Sequence, residues 1–196
     1  MVLTPSMMKK IGTPAPDFQL KDVVSGKMVS PASFADKKGM LVMFICRHCP
    51  YVQHVKAELA RLGRDAAPKG VAVIAISSND AANYPDDAPA PLKEMAAEEG
   101  FSFPFCYDES QAVAKAYEAA CTPDFFLYDA ARHLYYRGQL DDSRPGNGKP
   151  VTGKDLREAV DALLAGKPAP ANQRPSIGCN IKWKPGNEPV YFHACR

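Results

Sequence analysis

The sequence predicts an α/β protein with a central mixed sheet, flanking helices, an N-terminal hairpin and an extended C-terminal tail. Residues 40–45 and 71–76 are unbroken apolar runs typical of buried parallel strands, and residues 51–64 between them have the apolar period of a helix. Strand, helix and parallel strand in this order form a right-handed crossover unit. Residues 125–129 and 133–137 are separated by a short turn, so they are expected to add an antiparallel pair.

The chain before the first central strand is predicted to form the N-terminal hairpin. Residues 17–20 alternate between polar and apolar side chains, a Ser-Gly turn follows, and residues 28–30 pair back. Ser30 and Pro31 are typical of a helix cap and a first helical residue. One turn of helix is therefore expected to end near residue 35.

The rest of the fold is predicted from shorter segments. Residues 77–91 are polar and form a loop at the end of a central strand, where ligands gather in open α/β sheets. Helices are predicted over residues 92–99 and 111–117, with a strand over residues 103–107 between them. The last helix is predicted over residues 154–164, because a Thr-Gly-Lys-Asp sequence opens it as a capping box.

The length of 196 residues fits one domain, residues 1–166, followed by an extended tail, residues 167–196. The tail is rich in proline and has no helical or strand period. It still carries large apolar residues, among them Ile177, Trp183 and Phe192, and such a segment does not stay disordered. The tail is expected to lie on the domain or on the partner subunit of a homodimer.

Charge and hydropathy exclude several kinds of partner. The formal net charge is +2, with basic and acidic residues interspersed, which indicates neither a nucleic acid nor a membrane surface. The first ten residues lack the apolar core of a signal peptide, and no apolar run is long enough to span a bilayer. A cytoplasmic location is therefore expected, where a close cysteine pair is more often catalytic or metal-binding than structural.

The most informative motif is Cys46-Arg47-His48-Cys49, at the end of the first central strand and the start of the first long helix. A helix N-terminus stabilises a thiolate, and the thiolate is the reactive form of cysteine. The positive charge of Arg47, and of His48 when protonated, predicts a lowered pKa for Cys46. Cys49 lies one helical turn further on and is expected to close a disulfide with Cys46.

A second element agrees with this motif. Thr122-Pro123 precedes the antiparallel pair, and the order of strand, Cys-x-x-Cys helix, parallel strand, Thr-Pro, hairpin and closing helix resembles the thioredoxin fold. More narrowly, the chain resembles the peroxiredoxin-like, AhpC/TSA-related proteins of bacteria that carry a Cys-x-x-Cys motif. The resemblance implies a cis peptide bond before Pro123 and a substrate-binding ledge formed by Thr122 and Pro123. It rests on residues 15–20, 43–52, 122–126, 142–148 and 175–184.

The leading interpretation is a thiol-disulfide oxidoreductase that needs no cofactor and no metal. Cys46 attacks a disulfide in a protein or a small molecule, and Cys49 resolves the mixed disulfide. A reducing system such as thioredoxin or glutathione then recycles the pair. The first alternative is a thiol peroxidase that uses Cys46. Peroxiredoxins have a threonine or serine three residues before the reactive cysteine, and its hydroxyl orients the peroxide. In this sequence that position is Met43, which cannot donate a hydrogen bond, so Arg144 is the candidate donor to the peroxide.

The second alternative is a metal or iron-sulfur binding module. Cys46, Cys49 and His54 cluster at one helix start, and Cys121 adjoins the proline expected beside them. Cys179 allows two interpretations, because it is either a third redox cysteine at this site or a buried anchor of the tail.

An acidic proton acceptor for the active site is harder to identify. Thioredoxin keeps a buried aspartate on the strand before its motif, whereas residues 40–45 contain no acid. Asp141 and Asp142, at the end of the last strand, are the candidates that remain. Their alternative interpretation is a solvated turn.

Overall fold

The computed structural model describes residues 3–195, with side chains as far as residue 192, so the side chain of Cys195 lies outside the described part. In chain order the described strands and helices are β1 (Leu3–Pro5), β2 (Leu20–Lys21), β3 (Met28–Val29), β4 (Gly39–Phe44), α1 (Pro50–Ala66), β5 (Val71–Ser77), α2 (Pro89–Glu99), β6 (Phe105–Tyr107), α3 (Ala112–Tyr117), β7 (Cys121–Thr122), β8 (Asp124–Asp129), β9 (Leu134–Gly138), α4 (Lys154–Leu164) and β10 (Ile177–Asn180). Short 3-10 turns occur at Pro31–Phe34, Ala67–Lys69, Pro85–Asp87 and Val190–Cys195.

The central sheet is mixed, as predicted, and has the strand order β6-β5-β4-β8-β9. β5 runs parallel to β4 and to β6, while β8 is antiparallel to β4 and to β9. Every residue of β4 and β5 is buried, because helices and loops cover both faces of these strands. The centre of the sheet therefore holds the carboxyl end of β4, where the Cys-x-x-Cys motif begins.

Helix α1 carries the motif's second half. Cys49 is its N-cap residue and Pro50 its first helical residue, a position at which the missing N–H of proline costs nothing. Val52, Val55 and Leu59 point into the core on the face that holds both cysteines of the motif. The helix is thereby held rigidly against the sheet, with its N-terminus beside β4.

Two predicted local features differ from the structure. The strand expected over residues 17–20 is confined to β2, and β3 pairs with it in a two-stranded ribbon. Helix α4 has the predicted bounds but no side-chain cap, because its N-cap residue is Gly153, which has no side chain and lies in the left-handed region with a φ of 66°. The carboxylate of Asp141 instead accepts the N–H groups of Thr152 and Gly153, at 2.7 and 2.6 Å.

The tail returns to the domain and forms a second sheet, in which β10 lies between β1 and β7. Cys179 is paired with Leu3 on one side and with Thr122 on the other. Further along, Ile181 and Trp183 are buried in the cluster on the far side of the central sheet. Across residues 3–195, no helix combines the length and the hydrophobicity that crossing a bilayer requires.

Candidate active site

The two cysteines of the motif lie at the junction between β4 and α1. Cys46 follows the last buried residues of β4, and Cys49 caps the first turn of α1. Neither has any exposed surface, and both belong to the apolar cluster between the sheet and α1. Their thiols are free in this structure, so it describes the reduced form of the pair.

A second loop closes on the two sulfurs. The Thr122–Pro123 peptide bond is cis, as the resemblance implies. The Sγ atom of Cys46 lies 3.4 Å from the hydroxyl of Thr122, and the Cys49 thiol donates to the carbonyl of Thr122 at 3.2 Å. Cys46, Cys49, Thr122 and Pro123, which are far apart in sequence, therefore meet at one place.

The predicted lowering of the Cys46 pKa is wrong. Burial raises the pKa of Cys46 well above its ordinary value, and the hydrogen bond with Cys49 and the charge of Asp87 raise it further. Arg47 does not offset this effect, because its guanidinium pairs with Glu94 at 2.7 Å and Glu98 at 3.6 Å on α2. The arginine charge is directed at α2 and is neutralised there.

His48 is also paired, and its partner is a residue that the sequence analysis did not identify. Its Nδ1 atom lies 2.5 Å from a carboxylate oxygen of Asp87, and this hydrogen bond raises the pKa of His48. The ring of Tyr84 stacks on the imidazole at a centroid distance of 5.2 Å. His48 therefore stays beside the motif but shares its charge with a carboxylate, which explains why it does not lower the Cys46 pKa.

Asp87 is the polar centre of this turn. Its side chain is fully buried and accepts the backbone N–H groups of Arg47 and His48, at 2.7 and 3.2 Å, and the side-chain amide of Asn79 at 2.7 Å. Burial by itself raises the pKa of Asp87, but the hydrogen bonds from His48 and Asn79 outweigh it, so the net pKa is lowered. The sequence feature that could have identified Asp87 is its position in the polar loop that follows β5.

Removing this carboxylate is expected to destabilise the fold. Asp87→Ala leaves the amides of residues 47 and 48 and the His48 side chain without their acceptor, so the free energy of unfolding should fall by about 3–5 kcal/mol. Urea denaturation measures this loss. Asp86→Ala is the matched control, because Asp86 lies in the same turn with an exposed side chain and should change stability by less than about 0.5 kcal/mol. Equal stability of the two variants would refute this role for Asp87.

A third thiol adjoins the pair. Cys179 is 2% exposed and belongs to the same apolar cluster as Cys46 and Cys49. Hydrogen bonds from Cys179, Cys46 and Thr122 lower the pKa of Cys49, whereas the contact with Cys49 and burial raise that of Cys179. Three thiols are thus gathered around the Thr122 loop, and the pKa of the middle one in sequence, Cys49, is the lowered one.

The comparison with protein families decides what kind of protein carries this site. The Redoxin family profile matches residues 10–156, which is most of the chain. The chain belongs to the Redoxin family. Among curated proteins, no sequence matches this redoxin.

Solved structures agree with the family. An uncharacterised conserved protein from Geobacillus kaustophilus is 53% identical, with a TM-score of 0.93 over 95% of this redoxin and 98% of that chain. A hypothetical protein from Sinorhizobium meliloti is 51% identical, with a TM-score of 0.91 over 93% and 100% of the two chains. The thioredoxin domain of a thiol-disulfide oxidoreductase from Bacteroides vulgatus is 19% identical, with a TM-score of 0.61 over 79% and 98%, and shows that the fold is thioredoxin-like.

The other predicted accessory residues of the redoxin have partners of their own. Asp142 forms an exposed ion pair with Lys149 at 2.5 Å. The Arg144 guanidinium donates to the carbonyls of Asp141 and Ser143, at 2.7 and 2.6 Å. The thiol of Cys121 donates to the carbonyl of Pro123 at 3.6 Å. Asp142 and Arg144 are therefore occupied by their own loop and are not aimed at the sulfurs.

Asp141, the other candidate proton acceptor, is held by the start of α4. Burial raises its pKa, but hydrogen bonds from Ser143, Gly153 and Thr152 outweigh burial, so the net pKa is lowered. A carboxylate that accepts from five donor groups holds a loop together and has little tendency to take up a proton. Its role in the described fold is to join β9 to α4.

The residues that can hold a metal differ from the predicted set. Within the described part of the chain, the group of ligand atoms close enough is Cys46, His48 and Asp87, all within 4.8 Å of one another. His54 lies apart from it, in a narrow cleft of about 20 Å³ lined also by Tyr51 and Pro123. The structure therefore does not gather Cys46, Cys49, His54 and Cys121 into one site.

Proposed function

We propose that this redoxin is a cytoplasmic thiol-disulfide oxidoreductase that cycles Cys46 and Cys49 between dithiol and disulfide. The observation that carries the proposal is the meeting of both sulfurs with Thr122, at 3.4 and 3.2 Å, beside the cis Pro123. The substrate is a disulfide in a protein or a small molecule. A reductant of the thioredoxin or glutathione type restores the dithiol.

The two thiols have different roles: Cys46 attacks the substrate and Cys49 resolves the mixed disulfide. The Cys46 thiol passes its proton to Cys49 while its sulfur attacks one sulfur of the substrate disulfide, so that no free Cys46 thiolate has to form first. A mixed disulfide forms, and the other substrate sulfur leaves as a thiolate that takes the proton from Cys49. The Cys49 thiolate then attacks the Cys46 sulfur, the bond between Cys46 and the substrate breaks, and the second substrate sulfur leaves as a thiolate that takes a proton from solvent. Two electrons pass to the substrate, and Cys46 and Cys49 end as a disulfide.

The pKa pattern supports this division. The resolving step needs a thiolate at Cys49 while Cys46 is blocked, and the surroundings of Cys49 favour that thiolate. The Bacteroides vulgatus relative, described as a thiol-disulfide oxidoreductase, has the same fold. A putative thiol:disulfide interchange protein from Chlorobium tepidum does as well, with a TM-score of 0.63 at 17% identity.

A redox titration tests the proposal directly. The protein is equilibrated in glutathione buffers of graded potential, quenched in acid, alkylated and weighed by mass spectrometry. A reversible two-electron couple is expected, with Cys46 and Cys49 as the residues that escape alkylation. A midpoint near or below about −220 to −320 mV makes the pair a reductant in the cytosol, and a markedly higher midpoint makes it an oxidant. The absence of a reversible couple would overturn the proposal.

The thiol peroxidase alternative has one observation in its favour. The Thr122 hydroxyl lies 3.4 Å from the Cys46 sulfur, so a hydroxyl donor is present although Met43 supplies none. A peroxidoxin from Mycobacterium tuberculosis shares the fold, with a TM-score of 0.60 at 16% identity. Stopped-flow oxidation by hydrogen peroxide separates the two activities. A rate no faster than that of a free thiol would exclude the peroxidase.

A further inference from the structure

The strand β10 lies directly on the active-site loop. Its Cys179 is the register partner of Thr122, whose carbonyl accepts the Cys49 thiol at 3.2 Å. Cys179 and Cys49 also belong to the same buried cluster between the sheet and α1, and the neighbouring Cys49 raises the pKa of Cys179. The tail therefore brings a third sulfur to the pair from a position 130 residues further along the sequence than Cys49.

Close packing fixes the position of this sulfur. A Cβ atom on Gly178 would lie 2.0 Å from the carbonyl oxygen of Thr122, so only glycine allows β10 to approach this closely. A polar chain also holds the following segment. The N–H of Lys182 donates to the Asn79 side chain at 2.8 Å, and Asn79 donates in turn to Asp87. Cys179 is thus held against Cys49 by the backbone on both sides.

We infer that Cys179 is a third redox-active cysteine, which exchanges with the Cys46–Cys49 disulfide to form a Cys49–Cys179 disulfide. The inference rests on the proposed function of the pair. In the exchange the Cys179 thiolate attacks the Cys49 sulfur, the bond between Cys46 and Cys49 breaks, and Cys46 leaves as a thiolate. The proton released from Cys179 passes to Cys46, so no outside oxidant or reductant takes part.

The exchange has a consequence for substrate access. It returns Cys46 to the thiol form, while the molecule keeps one disulfide, now between Cys49 and Cys179. It also ties β10 covalently to the N-terminus of α1. The oxidised redoxin therefore has two forms, one with Cys46 in the disulfide and a tail held only by packing, and one with Cys46 free and the tail locked.

The test uses Cys46→Ser, which removes the first disulfide and leaves the second. The reduced full-length variant is exposed to oxidised glutathione, quenched, alkylated and mapped by mass spectrometry. The expected product is an intramolecular disulfide that joins the peptides of Cys49 and Cys179. Cys46→Ser/Cys179→Ser should instead stop at a glutathione adduct on Cys49, with about tenfold more adduct than the single variant.

The matched control is Cys46→Ser/Cys106→Ser. Cys106 is fully buried like Cys49 but belongs to the cluster on the other side of the sheet, so its removal should leave the new disulfide unchanged. Equal urea midpoints of the double variants establish that both are folded. A folded Cys46→Ser protein whose Cys179 stays alkylatable while Cys49 carries glutathione would overturn the inference.

Wild-type protein in the same buffers separates the two hypotheses. If the wild type forms the Cys46–Cys49 disulfide but Cys46→Ser forms no disulfide between Cys49 and Cys179, the oxidoreductase function is supported and the redox role of Cys179 is refuted. If the wild type shows no reversible oxidation, the proposed function itself falls. The Cys46→Ser result then still decides whether Cys49 and Cys179 can be joined.

Discussion

Cys46→Ser is expected to reduce the rate of insulin-disulfide reduction to that of the uncatalysed reaction, a loss on the order of 10³-fold or more. The attacking group must be a thiolate, and a serine hydroxyl at this buried position neither ionises near neutral pH nor forms a disulfide. Turbidity from the precipitating insulin B chain, with dithiothreitol as the reductant, measures the rate. Full activity in this variant would remove Cys46 from the mechanism.

Cys49→Ser is expected to lose turnover as well, but with a different product. Cys46 can still attack, more slowly, by losing its proton to solvent, and without the resolving thiol its mixed disulfide with the substrate accumulates and is visible on a non-reducing gel. Cys106→Ser is the matched control, because it removes an equally buried thiol from the opposite side of the sheet. If the mixed disulfide accumulated in Cys46→Ser instead, the roles of the two cysteines would be exchanged.

The second large effect is expected from Gly178→Ala. The new methyl group would lie 2.0 Å from the Thr122 carbonyl oxygen, and because that atom belongs to the backbone it cannot rotate away. β10 must therefore shift off β7, at a cost of about 1–3 kcal/mol in the free energy of unfolding. The shift uncovers Cys49, so alkylation of its thiol should become about tenfold faster or more. Urea denaturation and timed alkylation with mass analysis measure the two effects.

Gly63→Ala is the matched control for this variant. Its methyl group would lie 2.4 Å from the ring of Phe103, so it introduces a clash with a side chain on α1, at a site away from the tail. It should lower stability without accelerating the alkylation of Cys49. If Gly63→Ala exposed Cys49 as much as Gly178→Ala does, general loosening of the fold and not release of β10 would explain the result.

Local sequence patterns were sufficient to predict the central strands and the long helices of this redoxin. The unbroken apolar runs identified the central strands, and the helical period after Cys49 identified α1, because burial on a sheet imposes these periods directly. The bounds of α4 were predicted at Lys154 and Leu164. The resemblance to the thioredoxin fold, and not a local pattern, identified Thr122-Pro123 as the loop that closes on the cysteines.

The surroundings of the two sulfurs depended on the tertiary structure. Arg47 and His48 carry the charges that the sequence shows, but their effect on Cys46 depends on Glu94 and Asp87, which lie 47 and 39 residues further along the chain. No local period marks such contacts. The burial that raises the Cys46 pKa likewise comes from the whole apolar cluster, not from the motif.

The sequence by itself determined the fold class, the position of the Cys-x-x-Cys motif at a strand-helix junction and the loop that faces it. The fold class and the place of the motif follow from periodicity and residue types, and the facing loop follows from the resemblance to the thioredoxin fold. Only the tertiary structure decided that both thiols are closed off, that Asp87 holds the turn and that Cys179 joins the pair. The physical reason is that the pairing of β10 with β7 depends on long-range register and on the close approach of two backbones. The residue types of a proline-rich tail do not predict either of these.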